Sequence, residues 1–107
     1  MARALINVPR TARAGEVIEI KTLIAHPMGT GYRTGPEGRM LPRDIIRRFV
    51  CVYDGEVVFS AELHPAVAAN PFVAFTTTAT VTGLLTFTWE GDNGFSQTET
   101  ATLTVVA

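Results

Sequence analysis

The side chains that could do chemistry in this sequence are few, and they are scattered along the chain. The two histidines, His26 and His64, each stand directly before a proline at the end of a strand pattern. A histidine that acts as a general base needs an orienting partner and a reactive group within hydrogen-bond reach, and no spacing here indicates either. Ser60 and Ser96 lie in alternating strand patterns without the sharp turn that exposes a nucleophilic serine. The sequence therefore predicts no catalytic residue and no enzyme activity.

The single cysteine, Cys51, excludes an internal disulfide framework, so the fold must depend on its hydrophobic core. Cys51 lies between two valines in a strand pattern, which favours a small apolar core residue over a reactive thiol. The alternative is a periplasmic copper-binding carrier domain, since four residues carry soft or borderline ligand atoms. They are His26, Met28, Cys51 and His64. Because no two of them form a closely spaced ligand pair, we predict no metal site and no cofactor.

Strand patterns dominate the chain, and no segment keeps a helical period over three turns. The six prolines fall where the strand patterns end, as is typical of a β protein. The predicted strands cover Ala4 to Val8, Glu16 to Ala25, Ile46 to Tyr53, Glu56 to Leu63, Phe72 to Ala79, Leu84 to Glu90 and Phe95 to Val105. Strands of this length and spacing indicate an all-β, immunoglobulin-like antiparallel β-sandwich of about seven strands, in one domain over residues 1–107.

Composition and charge exclude several classes of protein. A chain of 107 residues with 47% hydrophobic content forms one globular domain and is not a disordered segment. The formal net charge of −1 gives no general electrostatic basis for binding nucleic acid or a membrane. No apolar run is long enough to span a bilayer, and residues 1–16 lack the apolar segment of a secretory signal. Taken alone, these N-terminal residues indicate a cytoplasmic protein.

The clearest local motif is a hairpin with Asp54-Gly55 at its tip. This dipeptide favours a two-residue type I′ turn, which would pair Tyr53 with Glu56 and Cys51 with Val58. The core-facing residues in that register are Ile46, Val50, Val52, Val57, Phe59, Ala61 and Leu63. The opposite face mixes apolar and charged side chains, namely Arg47, Phe49, Cys51, Tyr53, Val58 and Glu62.

A solvent-exposed face is usually more polar than this second hairpin face. We therefore predict that it binds a second protein, and the alternatives are that a loop covers it or that the sheet is buried on both sides. The predicted contact residues are Arg47, Phe49, Tyr53 and Val58.

A second candidate surface follows the strand Glu16 to Ala25. His26-Pro27 ends this strand, because proline cannot donate to a sheet ladder. A Gly-Thr-Gly hinge then leads to an aromatic ring and a guanidinium on a loop, an arrangement that indicates recognition more than catalysis. The predicted contact residues are His26, Met28, Tyr32 and Arg33. The five arginines between residues 33 and 48 form either a solvated loop or a patch that docks an anionic partner.

The order and spacing of these segments resemble the SoxZ family, the small non-catalytic subunit of the SoxYZ sulfur-carrier complex of bacterial thiosulfate oxidation. The resemblance covers most of the chain and is carried by EVIEIKTLIAHPMGTGYR (16–33), LPRDIIRRF (41–49), VVFSAELHPAVAANPF (57–72) and FTWEGDNG (87–94). The family usually has an acidic residue between the methionine and the threonine of its His-Pro-Met loop. Gly29 stands at that position here, so a role for a negative charge there is not carried over.

The resemblance implies a non-catalytic chain whose main partner is a SoxY-like carrier subunit. In the family, that larger subunit carries sulfur intermediates on a cysteine in a mobile, glycine-rich arm, and other Sox enzymes make transient contacts with the complex. The implied location is the periplasm, reached by co-export with a signal-bearing partner, and we follow this implication over that of the N-terminal residues. The sequence does not determine which predicted surface meets the carrier and which meets the enzymes.

Overall fold

The computed structural model describes residues 3–29, 43–64 and 69–107, which form eight β-strands in two sheets. The strands are β1 (Ala4–Asn7), β2 (Thr11–Arg13), β3 (Val17–Ile24), β4 (Ile46–Tyr53), β5 (Glu56–Glu62), β6 (Phe72–Thr78), β7 (Gly83–Gly91) and β8 (Ser96–Val106). A 3-10 turn at Asp92–Gly94 joins the last two. Within these ranges no helix is long and apolar enough to cross a membrane.

The two sheets pack face to face as a β-sandwich. The strand order is β1-β3-β6 in the smaller sheet and β2-β8-β7-β4-β5 in the larger one. Neighbouring strands run antiparallel, except that β2 runs parallel to β8. The predicted all-β, immunoglobulin-like sandwich is confirmed. The sequence did not indicate β2, because three residues are too few to show an alternating pattern and their partner lies at the other end of the chain.

Alternation along the strands decides which side chains enter the core. On β7, Leu85, Phe87 and Trp89 are fully buried, while the residues between them lie on the outer side of the sheet. Thr98 and Thr100 on the paired strand β8 are exposed, as part of a threonine-rich outer face. The alternation of apolar and polar residues in both strands therefore matches the inner and outer sides of the larger sheet.

The predicted hairpin is confirmed at its tip but wrong further along. Tyr53 pairs with Glu56, and the two turn residues have φ angles of 50° and 84°, as a type I′ turn requires. Cys51 then pairs with Phe59 and not with Val58, so Val58 is the extra residue of a β-bulge. All pairs beyond the bulge are displaced by one residue from the predicted register.

A second bulge decides which side of β4 faces the core. Ile46 and Arg48 pair with consecutive residues of β7, so Arg47 is the extra residue between them. The bulge resets the alternation of the strand, and Ile46 and Phe49 therefore both point into the sandwich.

This second bulge brings the backbones of β4 and β7 so close that position 91 requires glycine. A Cβ atom at Gly91 would overlap the carbonyl oxygen of Ile45 and would lie 2.9 Å from the Cα of Ile46. Gly91 itself has an extended backbone, with φ at −155°, so the requirement comes from close approach and not from conformational freedom.

The predicted faces of the hairpin are therefore wrong on β4. Phe49 and Cys51 are fully buried, and Tyr53 is 4% exposed, although all three were assigned to the outer face. Val57 was assigned to the core and is 62% exposed. The period of two is correct, but each bulge adds a residue that the alternation does not reveal.

Phe49 lies at the centre of the core, where the two sheets meet. Its ring centroid is 5.2 Å from that of Trp89, 6.1 Å from that of Phe59 and 6.4 Å from that of Phe87, all in the larger sheet. It is also 6.1 Å from Phe75 of the smaller sheet, and Phe75 stacks on Phe59 at 4.4 Å. The residue that was predicted to anchor a partner instead joins the two sheets.

We expect Phe49→Ala to lower the free energy of unfolding by about 3–5 kcal/mol, because it removes buried surface and leaves a cavity between the sheets. Val57→Ala on the neighbouring strand is the control, since Val57 is 62% exposed and should contribute about 0.5 kcal/mol or less. Denaturant unfolding of the isolated chain measures both values. Equal small losses in the two variants would contradict the position of Phe49 in the core.

Candidate functional site

The residues after β3 form a tight turn whose polar groups bond within the chain. The N–H of His26 donates to Oδ1 of Asn70 at 2.9 Å, and the N–H of Asn70 donates to the carbonyl of His26 at 2.7 Å. Met28 has a φ of 49°, and its N–H donates to Nδ1 of His26 at 3.0 Å. Gly29 and Asp44 exchange two backbone hydrogen bonds of 2.7 Å. The turn is thereby fixed to the segment that enters β4.

The side chains of His26 and Met28 support this turn from the inside. They are 5% and 4% exposed. Because Nδ1 of His26 accepts a hydrogen bond, the ring carries its proton on Nε2, which lies 3.6 Å from the Asp44 carboxylate. Sδ of Met28 accepts the N–H of Ile46 at 3.2 Å, and the His26 ring meets Phe95 edge-on. Both side chains are thus buried within the chain, whereas the sequence-based prediction places them on a contact surface.

Asp92 organises the charged groups at the same end of the sandwich. Its carboxylate accepts hydrogen bonds from Nε and Nη2 of Arg43, at 2.8 and 3.0 Å. It also forms an ion pair with Arg47, whose Nε lies 3.2 Å away. The backbone N–H of Ile45 donates to it at 3.3 Å. The hydrogen bond from Arg43 holds the pKa of Asp92 below its ordinary value, although partial burial opposes this shift. The same contact raises the pKa of Arg43.

The 3-10 turn has the backbone geometry that this arrangement needs. Asn93 and Gly94 adopt left-handed conformations, with φ at 59° and 74°, which asparagine and glycine tolerate best. The side-chain amide of Asn93 donates to the carbonyl of Arg43 at 3.2 Å, and the N–H of Asp92 donates to the carbonyl of Ile45 at 2.9 Å. The turn is therefore bonded through both main chain and side chains to the segment that carries the arginines.

An open cleft of about 480 Å³ lies beside these charges. It is lined by Arg43, Ile45, Arg47, Arg48, Glu62, Leu63, His64 and Glu90. Arg48 stands between Glu62 and Glu90 in the sheet register, while Asp92 holds the other two arginines. The cleft therefore presents charges of both signs, which suits a polar protein surface better than a small anion.

The sulfur of Cys51 has no access to solvent. Cys51 is fully buried, and its desolvation raises the pKa of the thiol to about 12. In the part of the chain that the structure describes, no group of three or more histidine, cysteine, aspartate or glutamate side chains could hold a metal ion. The described residues therefore provide no such ligand set for the copper-carrier alternative.

Comparison with known proteins decides the family. The family model of the sulphur oxidation protein SoxZ matches residues 6–102, nearly the whole chain. The chain belongs to the SoxZ family. The resemblance seen in the sequence is confirmed, and membership supports a role in Sox sulfur oxidation. No curated protein matches the chain in sequence.

Solved structures share the fold of this SoxZ-family chain at low sequence identity. A superoxide reductase (neelaredoxin) from Ignicoccus hospitalis gives a TM-score of 0.73 at 15% identity, over 96% of this chain and 80% of that one. The sulfur carrier protein SoxY from Chlorobium limicola f thiosulfatophilum gives 0.67 at 14% identity, over 97% and 79%. At these identities the likeness establishes the sandwich fold alone.

The SoxZ-family chain does not bring the predicted hairpin contacts together on one exposed face. Arg47 is exposed at the cleft, whereas Phe49 lies in the core and Val58 is partly buried against it. Tyr53 is also internal, and its hydroxyl accepts the N–H groups of Thr80 and Val81 and donates to the Val81 carbonyl. Tyr53 thus fixes the end of β4 to the connection between β6 and β7.

Two residues of the predicted loop surface, Tyr32 and Arg33, lie outside the described residues. The sequence reasoning missed Asp92 and Asn70, which hold the site together. The position of Asp92 between a glycine and an asparagine indicates only a turn. Its pairing with Arg43 spans 49 residues, and no local pattern indicates such a contact.

We expect Asp92→Asn to lower stability at pH 7, and the difference from the wild type should shrink below about pH 4. The folded-state pKa of Asp92 is lowered, so its contribution is complete above the ordinary carboxyl pKa and is lost as the pH falls through the lowered value. Denaturant unfolding of the variant and the wild type at pH 7 and below about pH 4 measures this difference in stability. Glu90→Gln, at the same end of the larger sheet, is the control. A constant difference between Asp92→Asn and wild type at the two pH values would contradict the ion-pair role.

Proposed function

We propose that this chain is the non-catalytic subunit of a SoxYZ-like heterodimer and that it holds the SoxY-like subunit that carries the sulfur. The family match over residues 6–102 is the observation that carries the proposal. The burial of the chain's single cysteine supports it. A covalent carrier must present its thiolate to several enzymes on a flexible, accessible tether, and a fully buried Cys51 in the middle of β4 does not meet this requirement. We therefore assign the cysteine-bearing arm to the partner.

We assign transient contacts with other Sox enzymes to the mixed-charge cleft. Arg43 and Arg47 project from it with side chains that are 48% and 60% exposed, and Asp92 fixes their direction. Exposed charges contribute little to affinity but steer encounters and reject wrong partners. A surface of this kind suits a complex that must meet several enzymes in turn and release each one. We place the complex in the periplasm, reached by co-export with the partner.

Co-expression with a full-length SoxY-like subunit that bears its own export signal tests the proposed partner and location. We expect a complex that contains the two chains in equal numbers in the periplasmic fraction. Deleting the partner's signal should leave both chains in the cytoplasm, which is the control for co-export. Recovery of this chain alone from the periplasm, or failure of the two purified chains to associate, would contradict the proposal.

We expect Cys51→Ala to leave thiosulfate-dependent electron transfer unchanged in a reconstituted system, provided that the heterodimer remains intact. In the wild-type complex, Cys51 should react with a thiol reagent only after unfolding, because its thiol is buried and protonated. The matched variant replaces the cysteine of the partner's arm and should abolish the activity. Lost activity in an intact Cys51→Ala complex, with a sulfur adduct on Cys51 in the wild type, would reverse the two roles.

A further inference from the structure

The outer edge of β6 has no partner strand among the described residues. The other edge strands are protected, since β1 has four residues, β2 has three, and β5 contains a bulge and carries a glutamate at each end. In contrast, β6 has seven residues in unbroken register with β3, and its sequence FVAFTTT contains no charge, glycine or proline. An edge strand that is long, regular and uncharged is a template for pairing with another chain.

The hydrogen bonds at the ends of β6 show which backbone groups are open. Ile24 donates to the carbonyl of Pro71 at one end of the β3–β6 ladder, and Ala79 donates to the carbonyl of Glu16 at the other. In an antiparallel ladder, only every second residue exchanges hydrogen bonds with its neighbour. The residues whose N–H and C=O groups point to the open edge are therefore Phe72, Ala74, Thr76 and Thr78.

We propose that β6 pairs antiparallel with β6 of a second copy of this chain, about a two-fold axis at Phe75. The open backbone groups are distributed symmetrically about this residue. In such a dimer Ala74 lies opposite Thr76 of the second copy, and Phe72 lies opposite its Thr78. Each open N–H then meets an open carbonyl, and the two small sheets join into one.

The exposed apolar residues of the small sheet favour a second copy over an unrelated strand. Leu5, Leu23 and Phe72 already lie side by side in the register, with Leu5 57% and Phe72 61% exposed, along a groove of about 260 Å³. Val17, which is 65% exposed, pairs with Thr78. Two-fold pairing places Thr78 of the second copy beside Phe72, and Val17 of the second copy beside that Thr78. The row of side chains that begins at Leu5 thus continues across the interface. Side chains that lie opposite each other on one face of neighbouring strands stabilise a sheet. A second copy of the chain therefore supplies the side chains that complete this row.

The charges on the same face are also compatible with the two-fold arrangement. Lys21 and Glu19 form an ion pair of 3.4 Å, and they adjoin Ala74 and Thr76, respectively. In the dimer the row from Lys21 runs through Ala74, and then through Thr76 of the second copy to its Glu19. The row therefore ends in charges of opposite sign, and no like charges are placed opposite each other.

Sedimentation of the full-length chain over a range of concentrations tests the proposal, with the wild type expected to form a dimer. Thr76→Pro removes an N–H that faces the open edge and none that faces β3, so folding should persist and pairing should weaken. Thr76→Lys keeps the N–H but places two lysines diagonally across the axis on the same face of the joined sheet, each opposite Ala74 of the other copy. Each variant should raise the dimer dissociation constant about tenfold or more, since each change occurs twice across the interface. Thr102→Lys, on the exposed face of β8, is the matched control and should leave the constant unchanged.

Hydrogen exchange locates the interface independently. The amides of Ala74 and Thr76 should exchange more slowly at concentrations that favour the dimer, while those in β5 should not change. A chain that stays monomeric, or a dimer that tolerates both changes at Thr76, would overturn the proposal. Protection of these amides in a complex with only one copy of each subunit would assign the edge to the SoxY-like partner. That outcome would also overturn the proposal but would leave the proposed function in place.

Discussion

The packing of Phe49 between the two sheets is the interaction on which the rest of the structure depends. Its ring contacts aromatic side chains of β5, β6 and β7, so one residue of the larger sheet fixes the position of the smaller one. Aromatic rings that meet at tilted angles supply both buried surface and a preferred geometry. The distance and the relative angle of the sheets are therefore set at this point, and the turns at their ends must adapt to it.

The bulge at Arg47 connects this core to the charged end of the molecule. Without the extra residue, Ile46 and Phe49 would point to opposite faces of β4, and one of them would leave the core. The bulge also places Arg47 beside Asp92, which holds Arg43 as well. Because Gly91 permits the close approach of the two strands, the aromatic core and the arginine cleft depend on the same local irregularity.

The features that could be predicted from the sequence are those that local chemistry determines. The Asp54-Gly55 turn was predictable because both of its residues need positive φ, and the orientation of β7 was predictable because its apolar residues alternate without interruption. The faces of β4 were not predictable in this way. The residues at both bulges, Arg47 and Val58, have no unusual chemistry, and only pairing with neighbouring strands shows that they are extra.

The candidate site was less accessible to sequence reasoning than the fold. His26 and Met28 are held in their buried positions by hydrogen bonds to Asn70 and Ile46, and Nε2 of His26 lies 3.6 Å from the Asp44 carboxylate. These partners come from distant parts of the sequence. The family was recognisable because it depends on the order of several segments and not on any single contact. Membership of a family and the position of a side chain are thus different kinds of information, and the first does not supply the second.

The burial of Cys51 also affects which thiols can take part in sulfur transfer within the proposed complex. Because burial raises the pKa of the thiol to about 12, Cys51 stays a protonated thiol at neutral pH. A second reactive thiol beside the carrier cysteine would compete for its cargo and would trap the arm as a mixed disulfide. In the proposed complex, burial in the hydrophobic core prevents Cys51 from taking part in that exchange. In that proposed complex, the chain can therefore stand next to reactive sulfur without becoming an acceptor itself.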